Sequence, residues 1–99
     1  MLALDQVDRA TFTPHVGETF EVVFTDGRLP LTLTEVRPLG AARPGAPREP
    51  FALTFHGAPN LRLPQHTYRL ELATLGEMEI FLVQTAASAD ASQFEAVFS

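Results

Sequence analysis

A chain of 99 residues with 45% hydrophobic side chains, eight Phe and no Trp carries enough apolar material for one packed core and too much for disorder. The absence of cysteine excludes disulfide scaffolds, thiolate metal sites and thiol nucleophiles together, and leaves the redox compartment unread. A net charge of −5, from twelve acids against seven basic residues that are all Arg, repels a phosphate backbone, so nucleic acid is not an expected partner.

The N-terminus, MLALDQVDRATF, has neither a basic start nor a long apolar run. It reads as neither signal peptide nor membrane span, and a cytoplasmic location is the expectation. Leu4, Val7 and Phe12 lie near one stripe of a short helix within residues 1–13 that ends before Pro14.

Beyond Pro14 the apolar residues recur with period two. Phe20, Val22 and Phe24 alternate in ETFEVVFT, and Leu29, Leu31 and Leu33 alternate in LPLTLTEV, with Asp26-Gly27 between them as a hairpin signal. Pairing Phe24 with Leu29, Val22 with Leu31 and Phe20 with Leu33 through a loop of Thr25 to Arg28 puts all six on one face. That register also places Pro30, which has no N–H, in a non-hydrogen-bonded pair on an edge strand.

Residues 37–50, RPLGAARPGAPREP, contain four prolines and two glycines and predict a long exposed loop. Its Arg37, Arg43 and Arg48 face only Glu49, which makes it locally basic on an acidic protein. Loops of this length in a small domain are usually functional or disordered.

Four more alternating sets follow: Phe51, Leu53 and Phe55; Tyr68, Leu70 and Leu72; Met78, Ile80 and Leu82; and Phe94, Ala96 and Phe98. A hairpin of residues 51–56 with 66–72 sets Phe55 opposite Tyr68 and Leu53 opposite Leu70. It points His56 outward and His66 inward, so the two rings share no metal. Gly76 suits the left-handed position of a three-residue loop closing at Ala73 and Glu77, with Leu70 opposite Ile80 and Glu71 facing Glu79. Phe81 and Val83 are apolar on the other face of that strand and need a cover, which the N-terminal segment is expected to supply. The segment QTAASADASQ, residues 84–93, is small and polar and reads as a flexible loop.

The fold expected is all-β, a single domain over residues 1–99. It is a small six-stranded antiparallel barrel or strongly curved sheet with a short N-terminal helix. Phe20, Leu31, Leu53, Phe55, Tyr68, Leu70, Ile80 and Leu82 are expected to share one core.

No reaction is legible. Ser88, Ser92 and Ser99 sit in no Gly-flanked elbow, the six glycines form no phosphate loop, and His15 stands alone. No catalytic residue, cofactor or metal is therefore expected. Three readings of function stand beside one another. An enzyme would have to use the outer carboxylates Glu71 and Glu79. A ligand carrier would need a mouth that large Phe, Leu and Ile side chains are expected to fill. An accessory binding or assembly module, the reading favoured, would contact another protein through Arg37, Arg43, Arg48, Phe81 and Val83, or a second copy through an open sheet edge.

The motifs PHVGETF, LTLTEV, PFALTFHG, LPQHTYRLE, LGEMEIFLV and the closing FEAVFS together resemble an uncharacterised family of small bacterial β domains over nearly the full chain. Some members of that family are encoded beside phage-tail-collar-type proteins. The resemblance implies a packed sheet and a possible setting, and it brings no catalytic residue, since its motifs are strand apolars, glycines and turn prolines.

Overall fold

The computed structural model describes residues 2–46 and 48–99. Met1, at the start of the expected helical segment, and Pro47, inside the proline-rich loop, lie outside the described residues. Six antiparallel strands, β1 (Thr19–Phe24), β2 (Gly27–Pro38), β3 (Phe51–Gly57), β4 (His66–Leu72), β5 (Gly76–Ala87) and β6 (Ser92–Phe98), close into a barrel in the order β1-β2-β3-β6-β5-β4. A one-turn helix, α1 (Arg9–Phe12), precedes them, flanked by 3-10 turns at Leu4–Gln6 and Thr13–His15.

The alternating sets converge on a single interior. All eight residues expected to share a core do so, joined by Val22, Leu33, Phe51, Met78, Phe94 and Phe98 among others. Two strands of 12 residues, β2 and β5, each carry an irregularity, between Leu33 and Glu35 and between Gln84 and Ala86. Such bulges bend a strand, which lets one strand serve two neighbours around a small barrel. The first also resets the parity, so that Val36 follows Leu33 toward the interior across from Leu53.

Several pairings differ from those the pattern suggests. The first hairpin turns at Thr25-Asp26, pairing Phe24 with Gly27, Val22 with Leu29 and Phe20 with Leu31. Pro30 stands opposite Glu21. Leu33 donates its N–H to the Glu18 carbonyl at 3.0 Å, which fixes the alternation and makes Glu21–Pro30 a non-hydrogen-bonded pair. The ring nitrogen then faces the far side of β2 before its ladder with β3 begins at Thr32–His56, so Pro30 needs no edge strand. The β4–β5 loop is Ala73 to Leu75, with Leu72 opposite Gly76 and Leu70 opposite Met78. β3 and β4 are not neighbours: β3 pairs with β2 and β6, and β4 with β1 and β5.

The short helix expected in the N-terminal segment is present as one turn, with a 3-10 turn on either side. Asp8 caps α1, its carboxylate accepting from the Thr11 N–H while the Thr11 hydroxyl accepts from the Asp8 N–H. Phe12, fully buried, sits 6.0 Å from the Phe51 ring and 5.7 Å from the Phe98 ring, which are themselves stacked at 4.7 Å. Phe12 and Val7 thus plug the barrel end near Phe51 and Phe98, and they do not cover Phe81 and Val83.

The connection expected over residues 84–93 shrinks to residues 88–91, because Gln84 to Ala87 belong to β5 and Ser92 and Gln93 to β6. Arg37 and Pro38 likewise belong to β2, so the proline-rich loop starts at Leu39. At the barrel end near Gly57 the segment between β3 and β4 lies across the opening. The Leu61 N–H donates to Ser92 Oγ at 2.8 Å, Gln84 Nε2 donates to the Leu61 carbonyl at 2.6 Å, and the Leu63 N–H donates to Gln84 Oε1 at 2.9 Å. Polar residues that resemble linker in the sequence are here the anchors of a crossing segment.

Candidate functional site

The five residues expected to meet a partner do not form one surface. Arg37 lies on the outer face of β2 and donates to Glu95 Oε2 at 2.9 Å. Arg43 is exposed in the loop. Arg48 is turned inward against the N-terminal segment, with Nη1 donating to the Leu4 carbonyl at 2.7 Å and the Val7 carbonyl at 2.9 Å. Its guanidinium rests over the rings of Phe51 and Phe98, 5.8 and 5.6 Å from their centroids. Two of the three arginines of the supposed basic element are therefore occupied in holding the fold.

Phe81 and Val83 do come together, with a neighbour the sequence reading passed over. Phe81 is 50% exposed, Val83 36% and Val97 61%. Val97 is on the outer parity of β6, which the alternation of Phe94, Ala96 and Phe98 already implied. Val83 pairs with Glu95, so Phe81 and Val97 stand one step further along the same two strands.

That step is also where the pairing of β5 with β6 stops. Among the described residues the ladder runs from Ala87–Ser92 to Val83–Glu95. Below it β5 is bonded to β4 as far as Gly76, and β6 to β3 as far as Phe98. Between the two lies a groove of about 310 Å³ whose lining includes Leu4, Arg48, Glu79, Phe81, Val97 and Phe98.

The other candidates are placed apart. Glu71 faces Glu77, not Glu79, and Glu79 faces Arg69. Arg69 reaches Glu77 at 3.5 Å and Glu79 at 3.8 Å, while Arg28 holds Glu71 at 3.0 Å and Glu21 at 3.3 Å. The hydrogen bond that Arg28 donates to Glu71, then the Glu71 charge, raises the Arg28 guanidinium above its ordinary value, and Glu21 adds to it. These acids form ion pairs on a solvated sheet face, an arrangement that stores no unpaired charge for chemistry.

His56 pairs with Thr32 and Gln93, and His66, the first residue of β4, is edge-on to Tyr68 at 5.4 Å. His66 shares the inward parity of Tyr68 and pairs with the buried Leu82, yet it is itself exposed, where inward burial was expected. His15 Nδ1 lies 2.8 Å from Glu18. Among the described residues no three His, Asp or Glu side chains gather as a metal site would need. Among the described residues no helix is long and apolar enough to cross a membrane.

A family model described as a domain of unknown function (DUF6916) matches residues 7–98. The chain belongs to that family. The match begins at Val7 and ends at Phe98, so DUF6916 takes in α1, the whole barrel, Arg48 and the groove, with Leu2 and Leu4 outside it. No curated protein and no solved structure matches the chain.

Proposed function

We propose that this DUF6916 domain is a non-enzymatic binding or assembly module that presents the outer β5–β6 surface to another protein. The observation that carries the reading is the cluster of Phe81, Val83 and Val97, three large apolar side chains in water beside the point where the ladder stops. Single exposed apolar residues are ordinary, but a contiguous group next to unpaired strands is what partner surfaces use. The remaining outer face supports this by contrast, because most of its charges are matched: Arg37 with Glu95, Arg28 with Glu21 and Glu71, and Arg69 with Glu77 and Glu79. The resemblance to domains encoded beside phage-tail-collar-type proteins suggests a tail-like assembly as the setting.

Capture from the native host tests it, with wild type beside a Phe81→Asp, Val97→Asp double variant and a variant whose residues 40–47 become a Gly/Ser linker. Both variants should melt close to wild type, since neither alters the interior. The double variant should lose its partner about 100-fold, as loss of two buried apolar anchors implies, while the loop variant should retain it. Capture that survives the double variant, or turnover of a substrate by the purified chain, overturns the reading.

A further inference from the structure

The direction of the free main-chain groups in the seam follows from one hydrogen bond. Leu2 donates its N–H to the Glu77 carbonyl at 2.7 Å, and Leu2 is no part of β4, so Glu77 turns its main-chain groups away from β4. Strand alternation then gives Glu79, Phe81 and Val83 the same direction. Val83 finds Glu95 there. On β6, alternation from Glu95 turns the groups of Val97 toward β5. Glu79, Phe81 and Val97 thus line the groove with donors and acceptors outside any ladder among the described residues. The rung that is filled, at Glu77, is filled by main chain, that of Leu2 beside the extended Ala3.

The charged side chains lining the groove are Arg48 and Glu79, and they differ in what already meets them. Arg48 is met by two main-chain carbonyls and two rings, and no carboxylate is within ion-pair distance of it among the described residues. Its Nε is buried with no acceptor. Glu79, the acid in the lining, is already drawn to Arg69 at 3.8 Å. The net charge of −5 acts against an acidic ligand from a distance, but charges further than about 8 Å are screened at physiological salt, which leaves the nearby guanidinium in control.

Building on the protein-partner reading above, we propose that the seam takes one extended strand of that partner, inserted beside β5, with an acidic side chain directed at Arg48. Main-chain bonds to Glu79 and Phe81 would hold the strand, its apolar side chains would cover Phe81, Val97 and Leu4, and the carboxylate would balance Arg48.

A phage-displayed library of random ten-residue peptides, selected on the full chain, supplies the probe. The best peptide is then synthesised in three forms: unmodified, N-methylated at alternate residues, and with its acid changed to the amide. The unmodified peptide should slow amide exchange at Glu79 and Phe81 at least tenfold. N-methylation on the β5-facing side should weaken it about tenfold, and the Asp→Asn or Glu→Gln form should lose a similar factor that vanishes in Arg48→Met. The amide-form peptide keeps this arm decisive even where Arg48→Met melts early.

A selected peptide that binds as a helix, that protects neither amide, or that ignores both modifications overturns the proposal, as does a library with no seam binder. So does dodecanoate binding in the groove without competition from peptide, or a sedimentation dimer that protects the same amides through a second copy. If Phe81→Asp, Val97→Asp abolishes host capture while the peptide arms fail, the surface reading stands and the strand falls. If host capture is also unaffected, both fall.

Discussion

The guanidinium of Arg37 on β2 meets the carboxylate of Glu95 on β6 at 2.9 Å, reaching across the outer face of β3. Beneath that bridge lie Ala52, paired with Arg37 on one side and Val97 on the other, and Thr54, paired with Glu35 and Glu95. Both are buried although their parity points outward, so β3 is covered on its two faces. Arg37 is 47% exposed, and solvent weakens the pair, so a double-mutant cycle of Arg37→Ala and Glu95→Ala should give a coupling of about 0.2–1 kcal/mol. The coupling should fall further in 1 M salt. A coupling indistinguishable from zero at low salt would mean the pair does not hold.

Leu70 and Ile80, on adjacent strands β4 and β5, are 0% and 1% exposed. Each truncation to Ala removes buried methyl groups and leaves a cavity that a closed barrel cannot easily collapse. Urea unfolding should show a loss of about 2–5 kcal/mol for either. Losses below about 0.5 kcal/mol at both positions would contradict the interior described above.

Membership of the core was legible in the sequence because side chains alternate faces along a strand, and that parity survives errors in pairing. Of the three predicted hairpins, the one joining β3 to β4 does not form, and the other two were two residues out: Phe20 meets Leu31 where Leu33 was expected, and Leu70 meets Met78 where Ile80 was expected. A slip of two residues keeps every side chain on its face, so the apolar pattern is blind to it. The same slip parted Glu71 from Glu79. Strand order was less legible still, since nothing in a run such as FALTFHG says whether it pairs with its successor or with β6. Of the candidate contacts, Phe81 and Val83 showed as breaks in alternation. Arg48 did not show its role, because packing against Phe51, Phe98 and the Leu4 and Val7 carbonyls depends on barrel closure.

Gly76 follows the Leu72–Leu75 turn with φ at +84°, and a methyl group there would meet nothing within 4 Å. Only the backbone conformation resists substitution. Gly76→Ala should therefore cost about 1–2 kcal/mol, the penalty of a left-handed residue. Gly27, which has an ordinary φ and equally open surroundings, is the control: Gly27→Ala should change stability by less than about 0.5 kcal/mol. Equal effects at the two glycines in thermal melts would remove the conformational argument.

Tyr68 is 8% exposed, and its hydroxyl donates to the Pro64 carbonyl at 2.6 Å, tying the crossing segment to β4. Burial raises its phenol above the ordinary value of 10.0, because the phenolate would lose hydration. With the folded pKa above the unfolded one, the unfolded chain releases its proton first as pH rises. Below pH 10 the contribution is complete, and it declines as pH climbs through the folded pKa. Ionisation also turns the donor to Pro64 into a second acceptor. Denaturant midpoints measured from pH 8 to 11.5 should therefore drop at the alkaline end in wild type. Tyr68→Phe should begin lower, through loss of the hydrogen bond, and show a shallower decline. Parallel declines in the two proteins would assign the alkaline loss to other groups.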